Sequence, residues 1–454
     1  MNAIHLDQLR VDLNTAGAAA LSPVVADVMA RWTRVEDQEG PLVVQERLAD
    51  ALYGELPRRL GVLLGAPAGD VVVCGGGAQA FTAVMSRLPL NPGERVWVSP
   101  HASPAQLSAL VALRARTRCR IEVIAQGPEG EVDVAWMARN LDEDVALVCL
   151  PYVSAVCGTV QPVHEVGALL GGHRCLYAVD ASHAVGQLPV DVRLVGCDLL
   201  TGDGWRFLRG PHGTGFAYTA PRLHQALAPH GGMPPLSAPA PALAALNTAL
   251  THHPTTGTGT TNDGGITPGT DAGAAVGTNP GTDPDTRIAQ LASLLRAAVQ
   301  SSPGSELIAE GGRHSGIVTF RHTRVPAAVL RRLLADRGIL VGKIVADESP
   351  LYLPRRGITT AVRVSVSHDT TPGDIALFAN ALTDAIAEGH SETPATPRIA
   401  YTPLTVSTLR GPAALRAPSM LRVVPDPPTV QAPTAACVPA PSSVSPGHFR
   451  LRPA

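Results

Sequence analysis

Along most of the chain, short apolar runs alternate with stretches whose apolar residues recur at i, i+3 and i+4. The first pattern reads as buried strand and the second as amphipathic helix. The runs predict strands over Val71–Cys74, Arg95–Val98, Arg120–Ile124, Val145–Leu150 and Cys175–Val179. Helices are predicted between them over 78–88, Pro104–Arg116, Val132–Asn140 and Val163–Leu170. Such alternation argues for a largely parallel sheet covered on both faces. Upstream, residues 23–36 and Val44–Leu64 carry helical spacing, with Pro23 suited to a helix start.

The pattern changes near residue 250. Residues 251–286 are rich in Gly, Thr and Pro and nearly free of large apolar side chains. They offer too little burial to offset ordering entropy, so a disordered insert is expected there. Residues 287–389 read as a small α+β domain. It has the strand GIVTFRH, the helix AAVLRRLLADRG stopped by glycine, the strands ILVGKIV and TAVRVSVSH, and the closing helix DIALFANALTDAI. Residues 1–250, including the N-terminal segment, are assigned to the large domain. Residues 390–454 are expected to form a Pro-rich disordered tail, with one apolar stretch, ALRAPSMLRVV, able to dock.

Composition narrows the function classes. With 36 Lys+Arg against 38 Asp+Glu the net charge is -2, which gives no basis for nucleic-acid or anionic-membrane binding. The N-terminal stretch has no apolar signal core and no run approaches a membrane span, so a cytoplasmic protein is expected. The seven cysteines form no CxxC pair; they read as buried free thiols, and no metal site is expected. Cys157 alone falls in a loop able to face a pocket. There is a single lysine, Lys343, so only one side chain can form a Schiff base.

Ligands of parallel sheets gather at the carboxyl ends of strands. Gly75, His101, Ser154 and Asp180 each fall just after a predicted strand, so the topology lets them converge. The glycines Gly75, Gly76 and Gly77 stand between strand and helix, an order suited to an anion at a helix N-terminus.

Four segments carry a resemblance: DASHAVGQLPVDV with GCDLL, FLRGPHGTGFAY, LPLNPGERVWVSPHAS and TAVRVSVS. Together they resemble the class V aminotransferases, the fold-type I enzymes dependent on pyridoxal 5'-phosphate (PLP) that include cysteine desulfurases. Within that family they look most similar to the branch of class V aminotransferase-like or ergothioneine-pathway C–S lyase-like proteins. The likeness runs from Leu13 to Leu382, apart from the insert. It implies an α/β fold, with a PLP-transferase-like large domain, a mostly parallel sheet and a smaller α+β C-terminal domain. It also implies a dimer, either of this chain or with another family member, and a small amino-acid-like ligand.

The resemblance assigns roles. Asp180 matches the aspartate that pairs with the pyridinium nitrogen, and His101 the residue that stacks on the ring. His183 stands where glutamine is usual and is able to bond the ring hydroxyl. Gly76, Gly77 and Ala78 match the phosphate turn, and Ala78 lacks the usual hydroxyl. Ala155 and Val156 fall where a polar residue near the ring is usual. Arg363 matches the arginine that takes the substrate carboxylate as a bidentate pair.

Two positions depart from the family pattern. Arg206 stands where the lysine that holds PLP covalently is expected; it stays protonated and is not expected to form that link. Asp203 stands where a Ser or Thr usually helps hold the phosphate, and a carboxylate there repels it. An internal Asp180–Arg206–Asp203 network is expected to fill the vacated charge environment. Lys343 reads as a solvated edge-strand lysine. Three functions follow from the resemblance and its departures. The first is a catalytically impaired homologue, a pseudoenzyme acting by binding or as a partner subunit. The others are an active PLP-dependent C–S lyase, desulfurase or aminotransferase, and a non-covalent binder of an amino-acid or phosphorylated ligand.

Overall fold

The computed structural model describes residues 11–127, 129–233, 236–254, 284–309, 312–390 and 422–423. In chain order the strands are β1 (Val11–Asp12), β2 (Val71–Cys74), β3 (Arg95–Val98), β4 (Arg120–Val123), β5 (Val145–Pro151), β6 (Leu176–Asp180) and β7 (Leu199–Asp203). They continue as β8 (Gly215–Thr219), β9 (Ser305–Leu307), β10 (Ile317–His322), β11 (Ile339–Leu340), β12 (Gly342–Val345), β13 (Thr360–Ser365) and β14 (Arg422–Val423).

The large sheet has the order β14-β4-β3-β5-β6-β7-β8-β2. It is parallel from β14 to β7, and β8 runs antiparallel to both β7 and β2. Side chains alternate between two apolar layers. Val96, Val98, Leu147, Cys149, Ala178 and Ala217 pack with the helices Gly77–Arg87 and Pro104–Thr117. Trp97, Val148, Leu150, Tyr177, Val179 and Phe216 pack on the other face, with Leu52–Leu64 and the helix Val163–Leu170. The two-residue period of a strand thus feeds two cores at once, which is why these runs are apolar throughout. The helices start on side-chain caps: Ser103 and Gln106 form a reciprocal box and Asp133 accepts from Trp136 N.

A second sheet has the order β12-β13-β10-β9 and is antiparallel. Its core face carries Val318, Phe320, Val362 and Val364 against Leu330, Phe378 and Leu382. Among the described residues no helix is long and apolar enough to cross a membrane.

The structure corrects several sequence expectations. The helix expected over Val44–Leu64 is broken into Pro41–Arg47, a wide turn at Ala51–Glu55 and Leu56–Leu64. Pro57 cannot donate to the carbonyl four residues back, and Leu56 N bonds five residues back to Ala51. The run ILVGKIV is two strands: β11 pairs with β1 and β12 with β13. The N-terminal segment, assigned to the large domain, pairs with β11 and places Val11 and Leu13 in the core beneath the second sheet. The insert was expected over 251–286. Residues 255–283 lie outside the described residues, but the helix Ala240–His252 reaches into that range and Pro284–Gln300 begins within it. The expected tail also lies outside them from 391 on, except that β14, within ALRAPSMLRVV, adds a parallel edge to β4.

Candidate active site

The carboxyl ends of β2, β3, β5, β6 and β7 share one edge of the large sheet, and the small sheet faces them. Gly76, at φ +152°, enters the helix Gly77–Arg87. A Cβ on Gly76 would lie 2.9 Å from the Trp205 ring, and one on Gly77 2.9 Å from Ser182 Oγ and 3.1 Å from Gly202 N. Gly76 is therefore required by its positive φ as well as by the Trp205 ring, and Gly77 by the close approach of the Gly202 backbone. Ala78, next in the turn, is exposed.

Asp203 closes β7 directly opposite this turn. Its Oδ1 accepts the Gly77 amide at 3.0 Å and its Oδ2 accepts Arg206 Nε at 2.8 Å. Arg206 reaches on to the N-terminal segment, where its Nη1 donates to the carbonyls of Ala16 and, at 3.2 Å, Gly17. Its guanidinium also lies 5.6 Å from the Trp205 ring centroid. His183 Nε2 donates to the same Ala16 carbonyl at 3.3 Å. Burial, then the positive charges of Arg206 and Arg363, hold His183 well below its ordinary range and so neutral.

Asp180 is half-buried at the end of β6, and its Oδ1 accepts Ser182 N at 2.9 Å. Burial raises its pKa; the Ser182 hydrogen bonds oppose this and Asp203 adds to it. The expected Asp180–Arg206–Asp203 network is half made: Arg206 pairs with Asp203, while Asp180 accepts the Ser182 amide.

His101, 3% exposed, donates from Nε2 to Gly130 O at 2.7 Å, so its Nδ1 accepts the Ser154 hydroxyl at 3.1 Å. Tyr352, from the segment before β13, packs on His101 with ring centroids 4.2 Å apart. Arg363 is brought in by β13. Its Nη1 donates to Ala155 O at 2.9 Å, while its buried Nε has no partner. Burial pushes this guanidinium down to about 10. Thr319, directly across from Arg363 in β10, and Asn14 also hold buried oxygens without partners. Lys343 is exposed on edge strand β12, away from these groups.

The structure therefore joins Gly76, Gly77, Asp203, Arg206 and His183 at one end of the cleft, and His101 and Arg363 around the loop 154–157 at the other. Tyr352, Trp205 and the Ala16–Gly17 carbonyls were missed by sequence reasoning. Only Trp205 left a signal, as the neighbour of Arg206.

The model of the family described as "Aminotransferase class-V" matches residues 43–378. A probable cysteine desulfurase of Xylella fastidiosa is 28% identical over 342 residues, covering 74% of this chain and 80% of the relative. A probable cysteine desulfurase of Methanothermobacter thermautotrophicus is 29% identical over 175 residues, covering 38% of this chain and 44% of that relative. Among solved structures, the cysteine desulfurase CsdA of Escherichia coli superposes with a TM-score of 0.68 at 19% identity, covering 85% of this chain and 96% of that one. The cystine C–S lyase C-DES, in complex with cysteine persulfide, gives 0.66 at 17% identity, covering 82% and 97%. These two likenesses establish the fold.

Proposed function

The chain belongs to the aminotransferase class-V family, one of its structural neighbours being C-DES with glycine covalently linked to its PLP cofactor, and from that premise we propose that it binds a carboxylate-bearing, amino-acid-like ligand without PLP turnover. In this reading it is a catalytically impaired member of the family, acting by binding or as a subunit beside an active relative.

One observation carries the reading: the Gly77 amide, which the resemblance assigns to the phosphate, already donates to the Asp203 carboxylate. A phosphate in that place would face a buried carboxylate at a cost of several kcal/mol, on the order expected for like charges in partial desolvation. Arg206, in the position the resemblance gives to lysine, is tied to Asp203 and Ala16. Lys343 stands exposed on an edge strand. The residues present therefore do not fit the cofactor, and no step is routed through it. The ligand end supports binding: a buried guanidinium with a free Nε can close a two-pronged pair with a carboxylate.

The visible spectrum of the purified protein tests this, recorded with and without added PLP. A colourless protein unchanged by PLP is expected. A yellow protein whose absorbance is lost on borohydride treatment overturns the reading in favour of an active C–S lyase, desulfurase or aminotransferase. Calorimetric titration with simple α-amino acids should show binding that Arg363→Gln abolishes.

A further inference from the structure

Beside Arg363 in the small sheet stands Gly342, its register partner in β12. A Cβ on Gly342 would lie 2.7 Å from Asn14 Oδ1 and 3.6 Å from Arg363 Nε. Those two atoms therefore border one space, which exists because position 342 carries no side chain. A Cβ on Gly17 would meet the same amide, 2.6 Å from Oδ1. Two bare positions thus leave the Asn14 side chain uncovered.

Asn14 is pinned by its backbone and idle in its side chain. It bridges to Ser365 at the end of β13. Its N–H donates to Asp12 Oδ1 at 2.9 Å, and its carbonyl accepts from Gly17 N and Ala18 N. Its Oδ1 is buried without a partner, and so is Arg363 Nε. One is an acceptor and the other a donor, yet they do not bond each other. The amide is turned as charge requires: its oxygen suits a guanidinium, whereas its NH2 would set donor against donor. Each atom costs free energy while it stays unpaired. Asn14 and Gly17 are half-buried and Ala18 is exposed, so the space is approached along this segment.

An unpaired acceptor and an unpaired donor around one gap call for a ligand with a donor and an acceptor on neighbouring atoms. A bare carboxylate satisfies Arg363 alone. An α-amino acid satisfies both, since its ammonium sits one carbon from its carboxylate. We propose that Asn14 is a specificity-determining residue that receives the ligand's α-ammonium while Arg363 holds the carboxylate. The site thereby selects α-amino acids over carboxylates that have no donor at Cα. A neutral amide suits this task. A carboxylate in its place would pair with Arg363 and close the gap, as Asp203 does with Arg206 at the other end of the cleft. This role rests on the ligand reading given above and adds to it the group that tells one carboxylate from another.

The test is calorimetric titration of the full chain with L-alanine and with propionate, which keeps the carboxylate and replaces the ammonium by hydrogen. The wild type should bind alanine at least about tenfold more tightly than propionate. Asn14→Ala should weaken alanine by about tenfold and leave propionate unchanged, so that the preference disappears. Gly342→Ala, which fills the space between the two atoms, should weaken alanine by about tenfold or more. Equal wild-type affinity for the two compounds overturns the assignment. So does an unchanged preference in Asn14→Ala, or an equal loss of both compounds there, or undiminished alanine binding by Gly342→Ala. In each of these cases carboxylate binding at Arg363 survives in the wild type. A wild type that binds neither compound overturns the ligand reading itself, and this role with it.

Discussion

The two ends of the cleft solve opposite problems. At the end built on β7, each group has found its partner within the protein: Asp203 takes the Gly77 amide and Arg206, and Arg206 takes the Ala16 carbonyl. At the end built on β13, Arg363 Nε, Thr319 Oγ1 and Asn14 Oδ1 are buried without partners. A buried polar group left unpaired costs about 1–3 kcal/mol, so the first end has been stabilised as structure while the second has kept that cost. That retained cost is what the ligand carboxylate proposed above would relieve at Arg363.

The sharpest way to break the contrast is Arg206→Ala. Asp203, with 7% of its side chain exposed, would lose its cation and stay buried, and stability should fall by about 3 kcal/mol in denaturant titration. A loss under about 1 kcal/mol would mean the closed end is not held by this pair.

Two glycines compare the ends directly. Gly77→Ala should cost about 2 kcal/mol, because its Cβ meets the backbone of Gly202 as well as Ser182 Oγ. Gly342→Ala, at the open end, meets chiefly the unpartnered Asn14 Oδ1 at 2.7 Å, the movable tip of a side chain. Its expected cost is within about 1 kcal/mol. Equal losses would erase the distinction.

A pH series sets the baseline away from both ends. His253 and His368 face each other at 5.2 Å, and burial followed by their mutual repulsion lowers His253 to about 4. A folded-state value below the unfolded one stabilises the protein above about pH 6.5, and the contribution fades as pH falls toward 4. Wild-type stability should therefore drop by about 1–2 kcal/mol between pH 7 and pH 4.5 from this pair, and His253→Asn should flatten that part of the profile. His183 adds in the same direction. Smallest of all, Lys343→Met should leave stability within about 0.5 kcal/mol, as for an exposed side chain.

Much of the fold was legible because the large sheet writes itself twice, once for each face. Runs such as Val145–Leu150 are apolar at every position, and the helices between them keep their spacing. Pro57 could have warned of the broken helix, since its missing amide is a local fact. The site was legible only in part. Asp203 and Arg206 are three residues apart, and their pairing follows from local geometry. In the half that failed, Asp180 accepts a Ser182 amide two residues away while Arg206 turns to Ala16 and Asp203, a choice set by how distant segments pack. Tyr352 on His101 and Arg206 on Ala16 depend on how distant segments pack, which no local pattern encodes.

The N-terminal segment has a consequence for the order of assembly. Ala16 N bonds Ser365 Oγ across 349 residues, and β1 pairs with β11. During synthesis the strands of the large sheet from β2 to β8 are all made before either of those partners exists. Residues 11–17 must wait until β13 has been translated, and only then can the Ala16 carbonyl be presented to Arg206 with the small sheet behind it. Loop closure of this kind grows dearer by only about 0.6 kcal/mol per doubling of length, so the delay lies in timing far more than in stability. The Ala16 contact that completes the closed end is thus a late event in the life of each molecule, and a ribosome stalled before β13 would carry strands β2 to β8 with Arg206 lacking that carbonyl.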